Sequence, residues 1–299
     1  VITQRDILKK VRQVEIRTRR AVTDTLVGSY HSIFRGQGID FEETREYYPG
    51  DDVRSIDWNV TARMDRPFVK IFREERELTM LLVVDLSASQ NYGSVDKSKR
   101  EATAELAAIL AFSAIRNNDK AGLLLFTDRV ERYIPPRKGL QHVLRVVREI
   151  LFFKPEGKGT DRAVALDYIN HVLTRRAVVF FLSDFACDKA LVKEDKTARL
   201  LAVTAARHDL VVADLWDPRD AELPSVGTVM LEDPESGLRS EVNTSASTFR
   251  RQYEQVATKE RKAWERLLRQ CGAGYMAIGS DKDVVRVLRG FMDGRARAR

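Results

Sequence analysis

The stretch LLVVDLSASQ, Leu81 to Gln90, starts as apolar residues and ends with oxygen-bearing side chains at alternate positions, Asp85, Ser87 and Ser89. A chain turning off the end of a strand can bring three such oxygens together while Leu86 and Ala88 face elsewhere. Asp184, in FFLSDF, closes a second apolar run, and Thr160, in PEGKGTDRA, lies on a glycine-flanked loop before a helical pattern. Asp85, Ser87, Ser89, Thr160 and Asp184 together offer only hard oxygen donors. That chemistry suits Mg²⁺, with Mn²⁺ as the second choice, because such ions take octahedral oxygen coordination at roughly 2.0–2.1 Å. Two carboxylates would balance the divalent charge. Singly, each residue type is common in caps and turns; three segments offering one donor set point to an ion.

Rival chemistries fit less well. GKGT at 157–160 invites a phosphate-loop reading, but Phe152 stands where the first glycine is required and Gly159 follows Lys158 in place of Ser or Thr. A metal-dependent phosphoester hydrolase of the haloacid-dehalogenase type also starts from an Asp at a strand end, yet it wants a second Asp two residues on, where this chain has Ser87. It is the alternative to a non-enzymatic binding module. No GxSxG surrounds Ser87, Ser89 or Ser183, no HExxH occurs, and the four histidines are scattered. Cys187 and Cys271 lack CxxC spacing and are expected to be buried thiols.

Strand–helix alternation must position these groups. TMLLVVD and AVVFFLSD read as strands buried on both faces, and AGLLLF (121–126) and LVVADLW (210–216) as further strands. Helices are expected at about 97–117, 139–151, 161–174, 188–207, 247–270 and 281–292, a hairpin around DPESG within 226–243, and a last strand at GYMAIGS. The fold class is therefore α/β, a doubly wound, mostly parallel sheet with crossover helices, and in such sheets ligands collect beyond the carboxyl ends of the strands. A basic helix at 5–27 and a polar, aromatic-rich segment form an accessory piece, residues 1–77, packed on a core domain at 78–299 with the hairpin inserted near 219–246. From Asp40 to Asp57 seven acidic residues face only Arg45 and Arg54. Asp51, Asp52 and Asp57 either pair with Arg54, Arg63 or Arg73 to fix a turn, or dock a basic partner.

With 299 residues, 43% of them hydrophobic, the chain can bury a full-sized core. No apolar run approaches the roughly 20 residues that cross a bilayer, and the N-terminal stretch lacks the apolar centre of a signal peptide. A cytoplasmic protein that is not integral to a membrane is expected. The net charge of +7 is concentrated toward the two ends, and nucleic-acid binding is not expected from it.

Asp85-x-Ser87-x-Ser89 with Thr160 and Asp184 resembles the metal-ion-dependent adhesion site of von Willebrand factor A-type domains. FRGQGIDFEETREYYPGDDVRSIDWNVTAR, RPFVKIFREERE, IRNNDKAGLLLF, VERYIPPRKG and LEDPESG resemble the bacterial domain-of-unknown-function family 58, whose members carry such a domain. The resemblance runs from about Leu8 to Phe291. It implies Ser87, Ser89 and Thr160 as direct ligands, Asp85 and Asp184 as ligands directly or through water, and a sixth position completed by a partner's carboxylate. It also implies an adaptor or co-chaperone that works with a MoxR-type AAA+ ATPase and a client protein. Neither the client nor the oligomeric state is legible in the sequence.

Overall fold

The computed structural model describes residues 12–16, 38–75, 77–95, 97–185, 195–235 and 237–297. Of the expected N-terminal helix, residues 12–16 are helical and the rest lies outside the described residues, as does Cys187. Residues 34–78 form one compact unit, and the chain from residue 79 onward builds another.

In the smaller unit, β1 (Gly38–Glu46) pairs antiparallel with β2 (Phe68–Glu75), with a bulge between Phe41 and Glu43. Between them lie a 3-10 turn, Val53–Ser55, and a short helix, α1 (Trp58–Met64). The helix was not expected from the sequence. It starts because the Asp57 carboxylate accepts the N–H groups of Asn59 and Val60, and it stops at Asp65, which adopts left-handed geometry at φ 55°.

The larger unit is a six-stranded sheet: β3 (Thr79–Asp85), β4 (Lys120–Phe126), β5 (Val130–Arg137), β6 (Val178–Ser183), β7 (Asp209–Trp216) and β10 (Gly274–Gly279), in the spatial order β10-β7-β6-β3-β4-β5. All neighbours run parallel except β4 and β5. This is the expected doubly wound, mostly parallel α/β architecture. β5 was not read as a strand from the sequence, since Pro135 and Pro136 disguise it; an edge strand tolerates missing N–H donors. Its pairing needs Gly122, where a Cβ would lie 2.8 Å from the Pro136 ring.

The helices are α2 (Lys99–Arg116), α3 (Leu140–Phe152), α4 (Arg162–Val172), α5 (Asp195–Arg207), the single turn α6 (Pro218–Ala221), α7 (Ser247–Gln270) and α8 (Val284–Arg297). Alternate strand residues supply the two faces of the sheet. Leu81, Val83, Leu124, Phe126, Val179, Phe181 and Val212 join side chains of α4, α5 and α7, among them Leu166, Leu201 and Trp264, in one core. On the other face α2 packs against β3, β4, β7, α3 and α8. Its run of Ala, Leu, Ile and Phe is buried almost all round, as a helix without a polar face must be. A capping box, Ser98 with Glu101, fixes where α2 begins. A two-stranded hairpin, β8 (Thr228–Glu232) with β9 (Arg239–Asn243), lies in the expected insertion.

Candidate functional site

The chain leaves β3 for β4 on one side and returns to β6 on the other, so the order reverses between β3 and β6, the place where open α/β sheets bind ligands. Asp85 ends β3 at this point. One of its carboxylate oxygens accepts the Ser87 N–H at 2.8 Å, and the other accepts the Ser183 hydroxyl at 2.6 Å. The first bond bends the chain into the turn at Ala88–Asn91; the second ties the carboxyl ends of β3 and β6 together. The turn sets the Ser87 and Ser89 hydroxyls 3.0 Å apart. The alternation of Asp85, Ser87 and Ser89 thus does bring oxygens together, with Leu86 buried between them. Gln90 is 1% exposed and neither of its amide atoms has a hydrogen-bond partner. Buried polar atoms are rarely left so without water or a ligand.

Asp184 follows directly after β6 and is not free. Its carboxylate accepts from the Lys99 ammonium at 2.6 Å, and Asp220 of α6 takes a second ammonium proton at 3.1 Å. Lys99 is 3% exposed and opens α2, where a positive charge opposes the helix dipole. Burial alone would lower its pKa, but Asp184 and Asp220 more than reverse this and raise it. Arg162 donates to the Asp184 backbone carbonyl at 2.6 Å and lies over the Phe185 and Trp264 rings. Asp85 feels the opposite field. Burial, then the neighbouring Asp184 charge, pushes its carboxyl up to about 6, against lesser relief from Arg162, Ser183 and the Ser87 N–H.

The third segment reaches the turn through its backbone: the Ala88 N–H donates to the Lys158 carbonyl at 3.0 Å. Gly157 lets this loop seat closely, since a Cβ there would stand 2.1 Å from Asp128 Oδ1 and 2.2 Å from Thr127 Oγ1. Glu131 holds the same loop by accepting the Gly157 N–H at 2.8 Å. The GKG motif is therefore explained by packing. Asp161 caps α4 through the N–H groups of Ala163 and Val164. The Thr160 hydroxyl itself donates to Glu235 of the β8–β9 hairpin at 2.6 Å.

These groups suit a divalent cation. Asp85 keeps unused lone pairs on both oxygens, the hydroxyls of Ser87 and Ser89 are adjacent, and the Asp184 charge raises the cost of ionising Asp85, which a cation relieves. Lys99 partly neutralises Asp184, a feature the sequence reading missed. Ser183, Arg162, Asp220 and Glu235 were missed as well; no local spacing announces them. Among the described residues no three His, Cys, Asp or Glu side chains group as a metal site. The candidate centre instead combines carboxylates with hydroxyls.

The acidic residues of the smaller unit have internal roles. Asp51 pairs with Arg45 through two contacts of 2.7 Å and accepts the Tyr48 N–H. Asp52 caps the 3-10 turn, and Asp57 caps α1 and lies 3.4 Å from Lys70. The cations that meet Asp51 and Asp57 are Arg45 and Lys70, not the Arg54 or Arg63 expected; the Arg73 side chain lies outside the described residues. Cys271 is only half-buried, not the buried thiol expected.

The chain is 33% identical to the uncharacterized protein Rv1480 of Mycobacterium tuberculosis over 289 residues, 96% of this chain and 89% of that one. An aerotolerance-related membrane protein from Bacteroides fragilis superposes with a TM-score of 0.50 at 13% identity, covering 74% of this chain and all of that chain, 100%. That likeness is one of fold. The conserved hypothetical protein BatB from Bacteroides thetaiotaomicron gives a TM-score of 0.49 at 14% identity over 74% of this chain and 99% of its own. The model of the family described as protein of unknown function DUF58 matches residues 43–263, most of the chain, and the chain belongs to that family.

Proposed function

We propose that this chain is a metal-dependent protein-binding module, which uses Mg²⁺ or Mn²⁺ held by Asp85, Ser87, Ser89, Thr160 and Asp184 to grip an acidic side chain of a partner. One observation carries the reading: Asp85 bridges to Ser183 at 2.6 Å across the switch point while Ser87 and Ser89 present adjacent hydroxyls in the same turn. When bound, the ion supplies a positive centre for a carboxylate. The chain's own residues do the rest. Asp85 shapes the turn, Lys99 and Arg162 fix the Asp184 segment, and the close seating of Gly157 holds the Thr160 loop.

The arrangement supports binding over hydrolysis. Asp85 is 1% exposed with both oxygens hydrogen-bonded, which suits a holding group and not an attacking one. Work as an adaptor or co-chaperone between a MoxR-type AAA+ ATPase and a client, in the cytoplasm, is the finer reading; its support is the family resemblance. No helix among the described residues is long and apolar enough to cross a membrane.

The test is a calorimetric titration of metal-stripped protein with Mg²⁺ and then Mn²⁺, beside a folded Ser87→Ala/Ser89→Ala variant. Saturable one-site binding that the variant lacks is the expected result. Absence of binding at millimolar metal, or equal binding by the variant, refutes the site. Capture of a MoxR-type ATPase that is insensitive to chelator would refute a metal-dependent grip on that partner.

A further inference from the structure

We propose that Glu235 is the chain's own acid at this centre, a third carboxylate delivered by the β8–β9 hairpin that joins Thr160 in closing the cation site. The proposal rests on the cation-binding reading above and adds a residue to it. The Thr160 hydroxyl donates to Glu235 Oε1 at 2.6 Å across 75 residues of sequence, a length typical of a hydroxyl bonded to a charged oxygen. The other carboxylate oxygen lies over Gly159, 4.0 Å from where a Cβ would stand.

The hairpin tip is shaped to present this side chain. Asp233 accepts the Glu235 N–H on its carboxylate at 3.0 Å and the Gly237 N–H on its carbonyl at 2.7 Å, and donates its own N–H to Leu238 at 2.8 Å. Gly237 completes the turn at φ 71°, a conformation that favours glycine. Arg239 and Glu232 pair across the strands at 2.8 Å. At the base, the Thr244 hydroxyl donates to the Gly227 carbonyl and accepts the Val226 N–H. β8 and β9 pack chiefly on each other, and Met230 and Leu238 are exposed. A two-stranded hairpin is marginal by itself, and one exposed hydrogen bond adds only about 1 kcal/mol. Such a tip can lift and settle. A divalent cation held by Thr160 and the Asp85–Ser89 turn would attract the carboxylate already bonded to Thr160, and an outside acid would then have to displace Glu235.

The alternative is a contact that merely stitches the tip to the Thr160 loop. That alternative loosens the hairpin on substitution but leaves cation affinity unchanged. The experiment titrates Mn²⁺ into the metal-stripped full chain, wild type, Glu235→Gln and Glu235→Ala. It also follows amide hydrogen exchange over residues 228–243 in Mn²⁺ and in chelator. Glu235→Gln keeps the shape and an acceptor for Thr160 but removes the charge. Mn²⁺ affinity should fall roughly tenfold or more in both variants, since ligand charge sets affinity at such sites. Mn²⁺ should slow hairpin exchange in wild type and not in Glu235→Gln. Saturable wild-type binding that both variants match would overturn the role of Glu235 and leave the cation site standing. No saturable binding by wild type would overturn the site and this proposal with it.

Discussion

Replacing Asp85 by asparagine should stabilise the metal-free protein, although Asp85 is the residue around which the site is built. In the folded chain its carboxyl is pushed up to about 6 from an ordinary 3.8, because burial and the adjacent Asp184 disfavour the charged form. A difference of about 2 units corresponds to about 3 kcal/mol of stability. The sign follows from proton uptake. Below pH 3.8 both folded and unfolded chains carry the proton, so the group costs nothing. Between 3.8 and about 6 the unfolded chain ionises first, and stability falls until the folded carboxyl has also ionised. Asparagine escapes this loss. Its carbonyl can still accept the Ser87 N–H, and its amide can face Ser183, whose hydroxyl already lies 3.2 Å from the Asp184 carbonyl as another acceptor. Allowing about 1 kcal/mol for the weaker neutral hydrogen bonds, Asp85→Asn should gain about 2 kcal/mol at pH 7.5 in chelator. Urea unfolding at pH 7.5 and pH 4, with and without Mn²⁺, measures this. The gain should vanish at pH 4, and saturating Mn²⁺ should favour wild type instead. An Asp85→Asn protein less stable than wild type in chelator at pH 7.5, or a gap unchanged at pH 4, would refute the reasoning.

Lys99→Met should destabilise the metal-free chain by roughly 3–5 kcal/mol, because it strands the buried Asp184 charge. Added Mn²⁺ should raise its melting temperature more than that of wild type, as read by calorimetry; an equal shift would mean that the ammonium does not offset the charge a cation would meet. His208 is 2% exposed, neither ring nitrogen has a hydrogen-bond partner, and burial, then Arg207 and Arg176, lowers its pKa to about 4. The unfolded imidazole takes up its proton first, so wild type loses about 3 kcal/mol as pH falls from 6.5 toward 4. This slope runs opposite to that of Asp85, and His208→Leu should flatten it in urea melts across that range. Gly157→Ala should cost roughly 1–3 kcal/mol, since its Cβ would stand 2.2 Å from Oγ1 and 3.0 Å from Cβ of the fully buried Thr127; a neutral melting temperature would contradict that seating.

The parts of this protein legible in its sequence are those set by neighbours in the chain. Runs such as TMLLVVD and AVVFFLSD are buried strands because continuous apolar side chains need cover on both faces, and the sheet covers them. The convergence of Asp85, Ser87 and Ser89 was likewise readable, since a carboxylate that accepts the N–H two residues on bends the chain within those residues. β5 was hidden because its prolines contradict strand propensity, and only its place on the sheet edge makes them harmless. The electrostatic character of the site was hidden more deeply. Ser183 meets Asp85 across 98 residues, Lys99 meets Asp184 across 85, and Glu235 meets Thr160 across 75. Such pairings carry no period or local spacing. They follow from the strand order that sets β6 beside β3 and starts α2 beneath them, so the sequence determined which oxygens the turn presents, and the tertiary structure alone decided which charges they meet.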